Sequence, residues 1–157
     1  MAYLIYNGEC KADSKGRVML PVGLKKELAP MLNAGFVLKK NPFHECLDLF
    51  PKAEWDKEME EVLELNRNIK KNDVYVRMFL NGVKPVEIDG TGRLLIPKDL
   101  IAFANFKKEI VVASQINKVE IWDKATYTEW VRKQNEEQDF GDLTEDVRGG
   151  KRKEDEG

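Results

Sequence analysis

The chain has 157 residues, 42% hydrophobic, with a formal net charge of −2 and two cysteines, Cys10 and Cys46; that is enough for one domain or two small ones with a real core. No apolar run approaches the roughly 18 residues that a membrane helix needs, and Met1–Ile5 has neither a basic flank nor a long apolar core, so no signal peptide is expected. Two cysteines suit a reducing compartment better than a disulfide scaffold, which points to the cytoplasm.

Residues 3–13 mix apolar and polar positions and lead into Ser14-Lys15-Gly16. They predict a strand entering a tight turn closed by glycine, with Arg17 to Leu20 as the return strand of a hairpin. Pro21 ends that strand and opens a short helix, Val22–Leu28. Asn33-Ala34-Gly35 is a turn, and Phe36–Lys39 and Cys46–Phe50 are two strands around Asn41-Pro42-Phe43-His44. The clearest helix covers residues 52–66, where Trp55, Met59, Val62 and Leu63 fall on one stripe. After the polar break Lys70–Asp73, the alternation of Val74, Val76, Met78 and Leu80 predicts a strand. Pro85–Ile88 then enters a second turn. Asp123 stands where an acidic residue caps a helix start, and Tyr127, Trp130 and Val131 form that helix's apolar face. Residues 136–157 carry nine acidic and four basic side chains, a net of −5, which leaves +3 on residues 1–135. Their composition predicts a disordered tail that masks a mildly basic body.

The chain order contains one module written twice. Asp13-Ser14-Lys15-Gly16-Arg17-Val18-Met19-Leu20-Pro21 and Asp89-Gly90-Thr91-Gly92-Arg93-Leu94-Leu95-Ile96-Pro97 share Asp-x-x-Gly-Arg, three apolar residues and proline. Asn7-Gly8 precedes the first and Asn81-Gly82 the second. Phe36–Leu38 matches Ile110–Val112, Leu47–Phe50 matches Val119–Trp122, and Trp55 matches Tyr127, with the offset drifting from 76 to 72.

An aspartate and an arginine across a tight turn can form a bidentate pair that stiffens a hairpin. The same arginine can instead face nucleic acid, because its planar fork matches a guanine edge. The two loops differ in charge. Residues 11–17 hold Lys11, Asp13, Lys15 and Arg17, a net of +2; residues 87–93 hold Glu87, Asp89 and Arg93, a net of −1. Only the first is a good phosphate partner, so Lys11, Lys15 and Arg17 are the candidate DNA contacts. Asp13, Gly16, Asp89, Gly92 and Arg93 are the candidate structural members of the motif.

The doubled motif resembles the MraZ family, as do Asn66-Arg67, Arg77-Met78-Phe79 and Val119-Glu120-Ile121-Trp122-Asp123. The resemblance covers roughly residues 4–133. It implies a β-rich α+β fold in which two AbrB-like swapped-hairpin modules, related by a pseudo-twofold, form one barrel-like unit. The expected division is a first module at 7–54, a helical linker and strand at 55–82, a second module at 83–126, a C-terminal helix at 127–135 and the tail at 136–157. The resemblance further implies a ring-shaped homo-oligomer whose basic hairpins engage short direct repeats in promoter DNA. The implied role is a nucleoid-associated regulator, usually a repressor, of the division and cell-wall gene cluster including its own gene. The family's motif arginine corresponds to Arg17 and to Arg93.

Other chemistries find little support. His44, Cys46 and Cys10 lack the paired spacing of a metal site. Gly90-x-Gly92 lacks the lysine and hydroxyl of a phosphate loop. Glu54, Glu58, Glu60 and Glu61 read as a solvated helix face, and a single histidine leaves no nucleophilic triad. No enzyme, cofactor or membrane partner is expected. The competing reading is a non-enzymatic interaction module on the same fold, either a ring scaffold or an antitoxin-like partner binder.

Overall fold

The computed structural model describes residues 3–150, which divide between Lys124 and Ala125 into two compact units. In the first unit, strand β1 (Asn7–Lys11) leads to β2 (Arg17–Met19), helix α1 (Val22–Leu28), and strands β3 (Phe36–Lys40) and β4 (Leu47–Pro51). Helices α2 (Lys52–Leu63) and α3 (Lys70–Leu80) follow. The pattern then returns as β5 (Lys84–Val86), β6 (Arg93–Leu95), α4 (Lys98–Ala104), β7 (Glu109–Ser114) and β8 (Val119–Asp123).

The two halves pair with each other rather than each with itself. A six-stranded sheet runs β1-β7-β8-β4-β3-β5, and a separate ribbon joins β2 to β6, all antiparallel. The order reads the same from either end once each strand is exchanged for its counterpart. The registers obey the same exchange. Cys10 faces Ile110 as Val86 faces Phe36, and Arg17 faces Leu95 as Arg93 faces Met19. The exchange is centred on two cross-strand pairs, Val18–Leu94 in the ribbon and Asp48–Glu120 in the sheet.

The core belongs to both halves. Leu24 and Leu28 of α1 and Leu100 and Ala104 of α4 are buried at equivalent places. They pack with Val18, Leu94, Phe36, Leu38, Ile110 and Val112 in one cluster. A smaller cluster on the other side of β3 holds Val37, Phe50 and Trp55, with Met59, Phe79 and Val83 against it. At roughly 25 cal/mol per Å² of apolar surface, a core shared this way rewards folding only when both halves are present.

Five expectations change in the first unit. The sheet among the described residues is open, with β1 and β5 at its edges, not a closed barrel. Strands β1 and β2 form no hairpin ladder. Beyond the turn and a single bridge between Ala12 and Val18, β1 leaves for β7 and β2 for β6. Asn7-Gly8 lies within β1, whereas Asn81-Gly82 is a turn with Gly82 at φ +79°, so this pair is not a structural repeat. Residues 74–80 form helix, not strand. Val76 is buried, and Phe79 stacks on Trp55 at 5.7 Å between ring centroids, while Val74, Met78 and Leu80 are exposed. Asp73 accepts from Arg67 at 2.8 Å and from Arg77, one helical turn on, at 2.9 Å, a helical spacing that outweighs the alternation. Helix α2 ends at Leu63, and Leu63 itself faces solvent instead of joining the buried stripe.

In the second unit, helix α5 (Lys124–Glu137), which starts on the last residue of the first, is followed by α6 (Phe140–Thr144) and a π-helical turn, Glu145–Gly149. Residues 136–149, expected to be disordered, thus carry helix. The Asp139 carboxylate caps α6 by accepting the Asp142 N–H at 3.0 Å, which satisfies a helix-start donor that acidic composition alone does not reveal. The rest of the expected tail, residues 151–157, lies outside the described residues. No helix of the described residues is long and apolar enough to cross a membrane.

Candidate nucleic-acid interface

Each motif builds a rigid loop from its own aspartate. Asp13 Oδ1 accepts the backbone N–H groups of Lys15 and Arg17, both at 2.9 Å, and Oδ2 accepts Arg17 Nε at 2.7 Å. Gly16 supplies the left-handed residue at φ +82°. A Cβ there would stand 2.8 Å from the Ile96 carbonyl oxygen, so backbone approach as well as conformation calls for glycine. The backbone N–H of Arg17, then its side chain and the N–H of Lys15, hold the exposed Asp13 carboxyl below its ordinary pKa.

The second loop repeats this with one addition. Asp89 Oδ1 accepts the N–H groups of Thr91 and Arg93 at 2.9 Å, and Oδ2 accepts Arg93 Nε at 3.1 Å. The Thr91 hydroxyl also donates to Asp89 at 2.7 Å. The Arg93 N–H and the Thr91 hydroxyl press the Asp89 pKa down strongly.

The aspartate–arginine pair is therefore not the fork-to-fork bridge between facing strands that the motif suggested. The arginine uses only its Nε edge, and the carboxylate spends its other oxygen on backbone. Among the described residues no group engages the Nη nitrogens of Arg17 or Arg93. The fork that reads a base edge or a phosphate is left available.

The ribbon decides where the forks stand. Val18 and Leu94 point inward and are fully buried, so their neighbours Arg17, Met19, Arg93 and Leu95 share the outer face. Met19 and Leu95, exposed apolar side chains, sit opposite Arg93 and Arg17. Arg93, expected as a structural partner of Asp89, thus occupies the same face and the same geometry as Arg17. Of the other candidates, Lys15 is exposed at the loop tip, and Lys11 ends β1 opposite Glu109.

What lies beneath the loops differs. Under the first, Ile101 of α4 meets Gly16; under the second, its counterpart Lys25 of α1 meets Gly92 and donates to the Thr91 carbonyl at 3.2 Å. A groove of about 450 Å³ opens behind the first loop, between Asp13, Ser14, Gly16 and the segment Phe106–Lys108. Lys107 and Lys108 belong to this surface although they stand some ninety residues away in sequence. The Asp-Gly-Arg pattern carried no sign of them.

The metal reading changes composition without gaining strength. The groups that converge are Cys46, Asp48 and Glu120, whose ligand atoms lie within 4.8 Å of one another, not the His44, Cys46 and Cys10 weighed from the sequence. These carboxylates are occupied. Asn41 Nδ2 donates to both Asp48 and Glu120, at 3.0 and 3.1 Å, Lys118 pairs with Asp48 at 3.0 Å, and Trp122 donates to Glu120 at 3.0 Å. Burial pushes the Cys46 thiol far up, away from the thiolate that binds a metal.

Comparison with known proteins agrees with the doubled motif. The model of the family described as "MraZ protein, putative antitoxin-like" matches residues 78–147. The chain is 52% identical to the transcriptional regulator MraZ of Christiangramia forsetii, over 95% of each chain. It is 51% identical to that of Flavobacterium psychrophilum, over 90% of this chain and 88% of the relative. It is 37% identical to that of Cytophaga hutchinsonii, over 89% and 92%. With half its residues shared along nearly its whole length, the chain belongs to the MraZ family.

Proposed function

We propose that this protein is a non-enzymatic, sequence-specific DNA-binding transcriptional regulator, and that Lys11, Lys15 and Arg17 are its principal DNA contacts. The observation that carries the reading is the outer face of the β2–β6 ribbon. There an aspartate fixes each arginine through Nε while leaving the Nη fork unengaged, and the first loop adds exposed lysines. A fork held in one place loses little entropy on contact, which favours reading over mere attraction. The names of the relatives, transcriptional regulators all, support the same reading. Its target is the promoter of a division and cell-wall gene cluster including its own gene, and its action is repression in the cytoplasm, at the nucleoid.

The exchange of strands between halves supports two AbrB-like swapped-hairpin modules, with boundaries near 7–54 and 83–126. Assembly into a ring on short direct repeats belongs to the same proposal. It is supported by exposed apolar side chains along α2 and α3, among them Leu63, Tyr75 and Met78, which a second copy would cover. The test pairs promoter binding with thermal melting for Arg17→Ala. A fully folded variant that still bound promoter DNA like the unaltered protein would remove the first loop from the interface.

A further inference from the structure

We infer that Lys107 and Lys108, from the second half of the chain, are phosphate-binding residues of the first loop and clamp the DNA backbone beside Arg17. The inference rests on the DNA-binding reading above.

Both residues are held by their backbones. The Lys107 N–H donates at 2.9 Å to Asp123 Oδ1, a carboxylate almost wholly buried at the end of β8. The Lys108 carbonyl accepts the N–H of Ala12 at 2.8 Å, one residue before the motif aspartate. The dipeptide is thus pinned at both ends, once to the sheet and once to the loop, while its two side chains stay exposed. Neither ammonium has a carboxylate within 4.0 Å among the described residues. The nearest acid in sequence, Glu109, approaches Lys124 instead, at 3.9 Å. Two unpaired cations on a fixed backbone beside a basic loop are suited to phosphate, a ligand that lysine binds as a point charge.

The arrangement has no counterpart in the other half. At the repeat's offset, Lys107 and Lys108 correspond to Asn33 and Ala34, and Asp123 corresponds to Pro51, which has no carboxylate to offer. Lys25, which lies against Gly92 of the second loop, is engaged with the Thr91 carbonyl. Counting Lys11, Asp13, Lys15, Arg17, Lys107, Lys108 and the facing Glu109, the first loop's surface carries +3. Lys25, Glu87, Asp89 and Arg93 leave the second at zero.

The experiment is a salt series of DNA binding by the full chain, read as fluorescence anisotropy. One probe is a duplex from upstream of the protein's own gene, and the other is a shuffled duplex of equal length. For Lys107→Ala/Lys108→Ala, binding should weaken by the same factor on both duplexes, because phosphate contacts carry no sequence information. The slope of log affinity against log salt should fall by about 0.9 for each phosphate released. Lys107→Arg/Lys108→Arg should keep the slope, and Lys70→Ala, an exposed lysine on α3, should leave it unchanged. An unchanged slope in the alanine variant, beside an Arg17→Ala variant that has lost binding, overturns the inference and spares the DNA reading. A loss confined to the promoter duplex also overturns it, since that marks base contacts. If Arg17→Ala binds normally as well, the DNA reading falls and this inference with it.

Discussion

The loops at 11–17 and 87–93 share one backbone and one hydrogen-bond plan, yet their settings differ in charge and in support. The first rests on Ile101 and is flanked by unpaired lysines; the second rests on Lys25, whose ammonium is spent on the loop's own carbonyl. The motif therefore specifies how an arginine is presented and not what it meets. The difference in charge between the two loops comes largely from residues outside the motif, contributed across the exchange by the opposite half.

The comparison breaks most severely if the halves are separable. A fragment of residues 1–66 lacks β5, β6 and β7, the partners of β3, β2 and β1, and should show no cooperative melt; a soluble fragment with a sharp transition would end the shared-core account. The next largest effect is on binding. Arg17→Ala should lose roughly 1–3 kcal/mol per engaged site, multiplied by avidity wherever several copies act together, with its melting temperature retained. Arg93→Ala, on the same face in a neutral setting, should bind several-fold better than Arg17→Ala in the same anisotropy assay. If the second variant is the weaker binder, the DNA face belongs to the other loop.

Smaller effects sharpen the comparison within each loop. Gly16→Ala should cost about 1–3 kcal/mol of stability, because it adds a left-handed penalty to a clash with a backbone oxygen. Gly90→Ala, with nothing within 4 Å of its Cβ and no positive φ, should be neutral in thermal denaturation. The smallest effect is titration. Both aspartates have depressed native pKa values, so the stabilisation each gives is complete above the unfolded value near 3.9 and is lost as pH falls through the native one. Asp89 is held lower by the Thr91 hydroxyl. Carboxyl chemical shifts should therefore show Asp13 protonating first on acidification, and Thr91→Ala should bring Asp89 up toward it.

The fold was legible where chemistry repeats and illegible where it depends on distance. Matching Phe36–Leu38 to Ile110–Val112 and Leu47–Phe50 to Val119–Trp122 located four sheet strands, since buried apolar runs bounded by turns have few other uses. That β1 would leave β2 for β7 could not be read, because a glycine turn looks the same whether its flanking strands pair or part. The α3 stretch misled because its apolar residues are dense enough to satisfy both periods; the Asp73–Arg77 spacing was the discriminating signal. At the site, Lys11, Lys15 and Arg17 were visible as charges beside a motif. The outward placing of Arg93 needed the ribbon register, and Lys107, Lys108 and their Asp123 anchor needed the sheet.

The strand exchange centred on Val18–Leu94 and Asp48–Glu120 has the form of a homodimer whose two chains have been joined into one. A true homodimer with a twofold axis presents identical surfaces on both sides and reads the same in both directions, so it suits a palindrome. Joining the copies frees each to change by itself, and here one side has gathered lysines while the other has neutralised its own. The molecule thereby acquires a heading: when only the first loop grips, a bound chain distinguishes upstream from downstream. Successive copies laid along a duplex would then all point the same way, as elements repeated head to tail require.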